Sequence, residues 1–310
     1  MGCKYCGSDK IVKNGKVNGT QVYKCKECGH RFFQNGNFSK MQSDKRIIAA
    51  ALNFYYDGLS LRKAQRNLEQ IFAEHISQVT ILNWIKKYSQ LVKEYVTKQA
   101  PQLSGLWHED ETMLGCEGRN IWFWEMIDED TKFMVASHIS NTRTFEDTVA
   151  IFEKGLQQSK ERLKAVFVDG CNAYKPAFNK VFYSRYKAER VELVQRVGIK
   201  ARETNNSIER LHGTLKDRTR CMRGLHSYES TKLLLEGWSV YYNCVRPHQS
   251  LGNRTPAQAA GMNVPNSWLG LIEEATKQEA INAAVLIDSN TSKRGVDPFM
   301  DAIQVEVNMQ

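Results

Sequence analysis

The alternation of apolar and polar positions changes its rhythm along this chain, and each change marks a module. Near the start, "KIVKNGKVNGTQVYKCK" (10–26) sets short β-branched runs between Asn-Gly pairs, which predicts small hairpins. Beyond the linker "QNGNFSKMQS" the period lengthens to that of helices. "SDKRIIAAALNFYYDG" carries an apolar face, a cap at Ser43 or Asp44 and a stop at Gly58. "LSLRKAQRNLEQIF" follows with a Ser60 cap, and "SQVTILNWIKKYSQLVKEYV" opens at Ser77 with Leu82, Ile85 and Val92 on one side.

From residue 104 strands take over. "GLWHEDETMLG", "NIWFWEMIDED" and "KFMVASHIS" read as three antiparallel strands, the first two joined by a turn at 117–119. A helix capped by Thr144 or Asn141 comes next, then the buried parallel-type strand "LKAVFVDG", the short helix "NAYKPAFNKVF", the strand "AERVELVQ" and a helix over 205–224. The order is β-β-β-α-β-α-β-α. The tail is acidic: 267–287 has the pattern of an amphipathic helix, and "DSNTSKRGVDPFMDAIQVEVNMQ" that of a partly disordered end.

The helix over 205–224 carries an unusual acid. Ile208, Leu211, Leu215 and Met222 form its core-facing stripe, within about 60° of arc on an ideal helix. Asn205, Glu209, His212 and Lys216 form a band beside it, so Glu209 falls at the core edge, where a carboxylate costs free energy unless it is paired or bound. Two other acids stand out by position: Asp110 in the first long strand, facing away from Glu109 and Glu111, and Asp169 at the end of "AVFVD". The element order matches a ribonuclease-H-like layout, in which those positions converge at one end of the sheet. Three carboxylates meeting there repel one another unless divalent cations sit between them, and oxygen donors favour Mg2+ or Mn2+. Two such ions per site suit in-line phosphodiester displacement. The bland alternative is a salt bridge from Glu209 to Lys216 or Arg210.

Composition narrows the class. The chain has 310 residues, 42% hydrophobic and 25% charged, enough for two or three domains. No run of 18 apolar residues occurs and the N-terminus does not resemble a signal peptide, so no membrane role and a cytoplasmic location are expected. Residues 1–100 hold 17 Lys and Arg against 7 Asp and Glu, a balance that suits a polyanionic partner or a merely solubilising surface. Cys3, Cys6, Cys25 and Cys28 form C-x2-C, 18 residues, C-x2-C. Two such knuckles make one tetrahedral Zn2+ site, whose metal would supply the folding energy of so short a segment; a disulfide pair is the alternative that a reducing compartment disfavours. His30 reads as a surface or phosphate-contacting residue. The other four cysteines are scattered, as buried thiols are.

The three helices over 43–100 suggest a helix-turn-helix unit whose third helix presents Gln78, Thr80, Asn83, Lys86 and Lys87 to DNA, with Trp84 in the core; a plain helical linker is the alternative. The expected organisation is a multidomain chain: zinc ribbon 1–36, helix-turn-helix 43–100, an α/β ribonuclease-H-like core with a mixed five-stranded sheet over 101–262, and a tail over 263–310.

"WHEDETML", "FVDGCNAY", "NNSIERLHGTLKDRTRCMRG" and "YYNCVRPHQSLGNRTPAQAAG" together resemble, in order, the blocks of insertion-sequence transposases with a retroviral-integrase-type DDE core. The resemblance covers about 104–262, and the modules before it are similar to end-binding modules of such enzymes. It implies catalytic, metal-binding Asp110, Asp169 and Glu209 and a basic Lys216 seven residues later; on the same helix Lys216, Arg220 and Arg223 read as DNA-backbone contacts, and His212 as a support of the acids or a phosphate contact. The 39 residues between Asp169 and Glu209 are a few more than is usual in the closest groups, the extra length falling around 178–200. His248 in "RPH" reads as structural or backbone-contacting rather than as ligand or base.

The function implied is that of a transposase that binds inverted-repeat ends and target DNA as at least a dimer and cuts and joins strands. The rivals are an inert, transposase-derived DNA-binding regulator and a simple nuclease of ribonuclease-H type.

Overall fold

The computed structural model describes residues 3, 6–17, 20–33, 43–159, 162–186, 190–195, 199–222, 225 and 227–292. Arg223, the linker over 34–42 and the end of the tail from 293 lie outside the described residues. The chain divides into two units, residues 1–43 with 273–310, and residues 44–272.

In the first unit, β1 (Ile11–Val17), β2 (Thr20–Cys25) and β3 (Arg31–Phe33) form an antiparallel sheet in that order, as the hairpin signals lead one to expect. Its interior is small: Cys3 and Cys25 are buried, with Ile11, Tyr23 and Cys28 packed against them. So little apolar surface leaves a segment of this size dependent on a metal or another cross-link.

The second unit opens with α1 (Lys45–Tyr56), α2 (Leu61–Phe72) and α3 (Gln78–Val96), whose first turns are capped by the side chains of Asp44, Ser60 and Ser77. Next come β4 (Leu106–Cys116), β5 (Arg119–Asp128), β6 (Met134–Ser140), α4 (Phe145–Gln158), β7 (Ala165–Val168), α5 (Tyr174–Phe182), β8 (Glu192–Gln195) and α6 (Ile199–Arg220). Glu117 and Gly118, both at positive φ (52° and 73°), form the two-residue turn that joins β4 to β5. Positive φ at both positions gives the twist an antiparallel hairpin needs.

Five strands form one mixed sheet in the order β6-β5-β4-β7-β8, with β4–β6 antiparallel and β7 and β8 parallel to β4. This is the ribonuclease-H-like layout expected from the element order. β7 lies between two parallel neighbours, which explains its uninterrupted apolar sequence "AVFV".

The chain continues through α7 (Tyr228–Val240), a π-helical turn (Tyr241–Val245), a 3-10 turn (Gln249–Leu251), α8 (Pro256–Ala259) and α9 (Trp268–Ser292). α7 packs on α3. Tyr56 of α1 is buried there; its hydroxyl is 2.8 Å from Ser89 Oγ, and its ring stacks between Trp268 and Tyr241.

Several expectations about individual side chains need correction. The buried face of α3 is Ile81, Trp84, Ile85, Tyr88, Val92 and Val96, so Trp84 is core as read, but Leu82 sits half-buried on its flank. α6 begins at Ile199 and stops at Arg220, so Met222 leaves the helical phase and is only partly buried. Arg218 takes a place in the buried stripe instead, with its guanidinium 4.0 Å from the centre of the Tyr55 ring.

Candidate active site

β4 pairs with β7 only from Leu106 to His108, and β7 ends at Val168. Past that point β4 has no strand neighbour on that side until Leu225 bridges Cys116 at its far end, and Asp169 stands in the gap beside Asp110. Oxygens of Asp110, Glu111 and Asp169 lie within 4.8 Å of one another. The expectation that Glu111 faces away from Asp110 thus needs amending. At the end of a strand pairing, carboxylates from both faces can bend into the gap.

The two faces then differ. On the α5 side, Glu111 is already occupied: the Tyr174 hydroxyl donates to it at 2.5 Å and Arg143 forms an ion pair with it. Arg143 also lies 3.7 Å from Asp169 and its guanidinium stacks over the Trp122 ring. Glu109, on the same side, is fully buried, with the Tyr174 hydroxyl near it and no cation paired to it among the described residues. Burial, then the charge of Glu111, drives its carboxyl well above the usual range.

On the α6 side, Asp110 is opposite Glu125 of β5 in the strand register. His212 joins them, its Nε2 3.0 Å from Glu125 and its Nδ1 3.8 Å from Asp110. Burial pushes Asp110 up to about 6; the His212 charge opposes this, while Glu111 and Asp169 add to it. Burial lowers His212, but the hydrogen bond and charge of Glu125 and the charge of Asp110 outweigh it, so the imidazole stays protonated to higher pH than usual. Burial raises Glu125 against the pull of His212. Lys216 is close enough for its charge to act on both partners.

Asp110 and Asp169 are thus brought together, and His212 and Lys216 lie beside them. Glu209 is on α6 three residues before His212, exposed rather than at the core edge, outside the 4.8 Å group. Among the described residues it makes no ion pair with Lys216 or Arg210. Arg220 is exposed and paired with Asp217 at 3.5 Å. On α3, Asn83, Lys86 and Lys87 are exposed, whereas Thr80 is half-buried in the Ser77 cap and half-buried Gln78 donates to Gln65 of α2 at 3.2 Å.

The sequence reading missed Glu125, Tyr174 and Arg143. Glu125 alone had a signal: a carboxylate in the apolar run "IWFWEMI".

In the other unit, the four thiols of Cys3, Cys6, Cys25 and Cys28 lie within 4.8 Å of one another. Amides of Cys28 and Glu27 hold the Cys25 thiol down to about 6, whereas, against the Ser8 and His30 amides, burial and the crowded thiols push Cys6 up to about 12 and raise Cys28. Four clustered thiols fit a tetrahedral zinc ion, and the oxygen-only acidic group fits Mg2+ or Mn2+.

Residues 104–248 match the DDE domain family. The matched stretch, just under half of the chain, is similar to the DDE domain of transposases. An uncharacterized protein of Methanocaldococcus jannaschii, MJ0017, is 27% identical over 205 residues, 65% of this chain and 86% of that protein. The 48.3 kDa protein of insertion element ISM1 from Methanobrevibacter smithii is 28% identical over 167 residues. That match covers 47% of this chain and 40% of the ISM1 protein. The catalytic core domain of HTLV-2 integrase, solved with magnesium, has a TM-score of 0.39 at 11% identity, over 52% of this chain and 97% of that one. That likeness is too slight to carry weight. The DDE-domain match and the insertion-element relative both point toward proteins of DNA transposition. Among the described residues no helix is long and apolar enough to cross a membrane.

Proposed function

We propose that this chain is a DDE transposase that binds the terminal inverted repeats of its own element and catalyses divalent-metal-dependent strand cleavage and strand transfer. The observation that carries the reading is the meeting of Asp110 and Asp169 where β7 ends beside β4, within the matched DDE domain. Glu111 has its oxygens engaged by Tyr174 and Arg143, so Asp110 and Asp169 are the carboxylates of that group free to hold a cation. Glu209, exposed one turn before His212, supplies the third.

Two Mg2+ or Mn2+ ions, when bound, supply charge neutralisation at the reacting phosphate and lower the pKa of a water or hydroxyl. The chain's own residues fix where that happens. The three acids hold the ions, His212 braces Asp110 against Glu125, and Lys216 and Arg220 meet the DNA backbone. Cys3, Cys6, Cys25 and Cys28 hold one structural Zn2+. α1–α3 act as a helix-turn-helix that reads the ends through Asn83, with Lys86 and Lys87 on phosphates and Gln78 and Thr80 steadying the reading helix. Joining two ends calls for at least a dimer on DNA.

The test uses the full chain and the DNA that borders its reading frame. Asp110→Asn, Asp169→Asn and Glu209→Gln should each keep end binding and lose cleavage and joining, and the losses should not add. Ca2+ should support binding without chemistry. Cutting and joining at the wild-type rate by Glu209→Gln would remove Glu209 from the site. A wild-type chain that binds the ends but never cuts them, with Mg2+ or Mn2+ present, would make it a regulator instead.

A further inference from the structure

α6 has two working flanks. His212 and Lys216 lie on one, beside Asp110 and Glu125, and Glu209 shares that flank by helical spacing. Ser207, Arg210, Thr214 and Asp217 recur on the other and line a groove of about 970 Å³. The far wall of that groove is the segment from Arg246 to Asn253 with Tyr242, and the β5–β6 turn adds Lys132.

The groove's charge is unbalanced. Lys132, Arg210 and Arg246 come from three separate elements, and none has a carboxylate within ion-pair distance among the described residues. Lys132 donates to Ser207 Oγ at 2.9 Å, which holds its ammonium at the groove wall. The one acid in the lining, Asp217, is already paired with Arg220. The floor adds a neutral donor or acceptor: His248 sits edge-on to Tyr242 with ring centres 4.7 Å apart, and its buried Nε2 has no hydrogen-bond partner. Burial and the Arg246 charge pull His248 down to about 4, so it carries no charge at neutral pH.

We infer that this groove is a second nucleic-acid site, which grips the phosphodiester backbone of the strand that leads to or from the acidic cluster. The inference rests on the transposase reading above. Three cations spread over separate elements suit successive phosphates along a chain better than a single compact anion. Gly213 lies on the exposed ridge of α6 between the two flanks, and nothing stands within 4 Å of where its Cβ would be. A helix with side chains is only about 10 Å across. A strand can therefore cross α6 at Gly213, with one part at the acidic cluster and the next over Arg210, Lys132 and Arg246.

The test is binding of the full chain to a fluorescein-labelled 30-nucleotide single strand and to its duplex, both of mixed sequence, measured against salt. Replacing Lys132, Arg210 and Arg246 together by Gln should flatten the duplex slope of log K against log salt by about 2.7, at 0.9 per cation, and by about 2.1 for the single strand. Arg246→Lys should keep the wild-type slope. Asp217→Asn should tighten binding severalfold, a gain that misfolding cannot mimic. A triple variant with the wild-type slope and affinity, or an Asp217→Asn chain that binds no tighter, overturns the groove while leaving the transposase intact. A wild-type chain that binds neither probe nor its bordering DNA overturns the transposase reading and the groove with it.

Discussion

Gly237 lies on α7 where that helix meets Tyr56 and Ser89, and a single methyl group tests the packing there. A Cβ at this position would overlap Tyr56 Oη and come within 2.6 Å of Tyr56 Cζ and 2.8 Å of Ser89 Oγ. Tyr56 has nowhere to go, because its ring is buried between Trp268 and Tyr241. Forcing it aside costs roughly 1–3 kcal/mol of overpacking. Losing the buried bond between Tyr56 and Ser89 costs about 1–3 kcal/mol more. Alanine returns about 1 kcal/mol of helix propensity. Gly237→Ala should therefore destabilise residues 44–272 by roughly 1–5 kcal/mol, about 3 kcal/mol at the centre of the range. For a unit of this size the central value lowers Tm by about 6–12 °C. Thermal unfolding followed by circular dichroism reads it directly. Adding Tyr56→Phe should recover part of the loss, since it removes the overlapping hydroxyl, so the double variant should be more stable than the sum of the singles. A Gly237→Ala chain that melts within a degree of wild type would refute this account of how α1, α3 and α7 fit together.

Three further outcomes follow from the same geometry. Cys25→Ser, or a strong chelator, should unfold the ribbon sheet and release one zinc per chain, measured by metal analysis and by amide signals of residues 6–33; a sheet that persists without metal would count against zinc. Lys86→Ala should weaken DNA binding for all sequences and reduce its salt dependence, whereas Asn83→Ala should relax sequence preference; identical effects from the two would undo the assignment of α3. Asp110 binds its proton more tightly folded (about 6) than unfolded (3.8), so without divalent ions stability should fall as pH rises from about 4 to 6, by up to roughly 3 kcal/mol. Asp110→Asn should flatten that fall and Mg2+ should offset it in the wild type; a Tm that rises over the same window would reverse the sign.

The element order was legible because it is written in local patterns. Alternation gave β4–β6, an unbroken apolar run gave β7, and Asp44, Ser60 and Ser77 marked the starts of α1–α3. The Cys spacing and the position of Asp169 at the end of an apolar strand were equally local, and the structure gathers the four cysteines and sets Asp169 beside Asp110, with Glu209 outside that group. The helical period of α6 set Ile208, Leu211 and Leu215 in the core on sequence alone.

What the sequence could not decide was which polar groups meet. Glu111 joins Asp110 only because β7 stops short and leaves a gap beside β4, a matter of pairing length between strands more than 50 residues apart. Arg218 reads as one more surface base, yet Tyr55, more than 160 residues away in the chain, covers it. Arg143 and Tyr174 reach Glu111 from a loop and a helix that carry no local mark of it. Local periodicity fixes which side of an element faces inward. Which charged groups share that interior depends on how elements distant in sequence stack, and only the tertiary structure decides that.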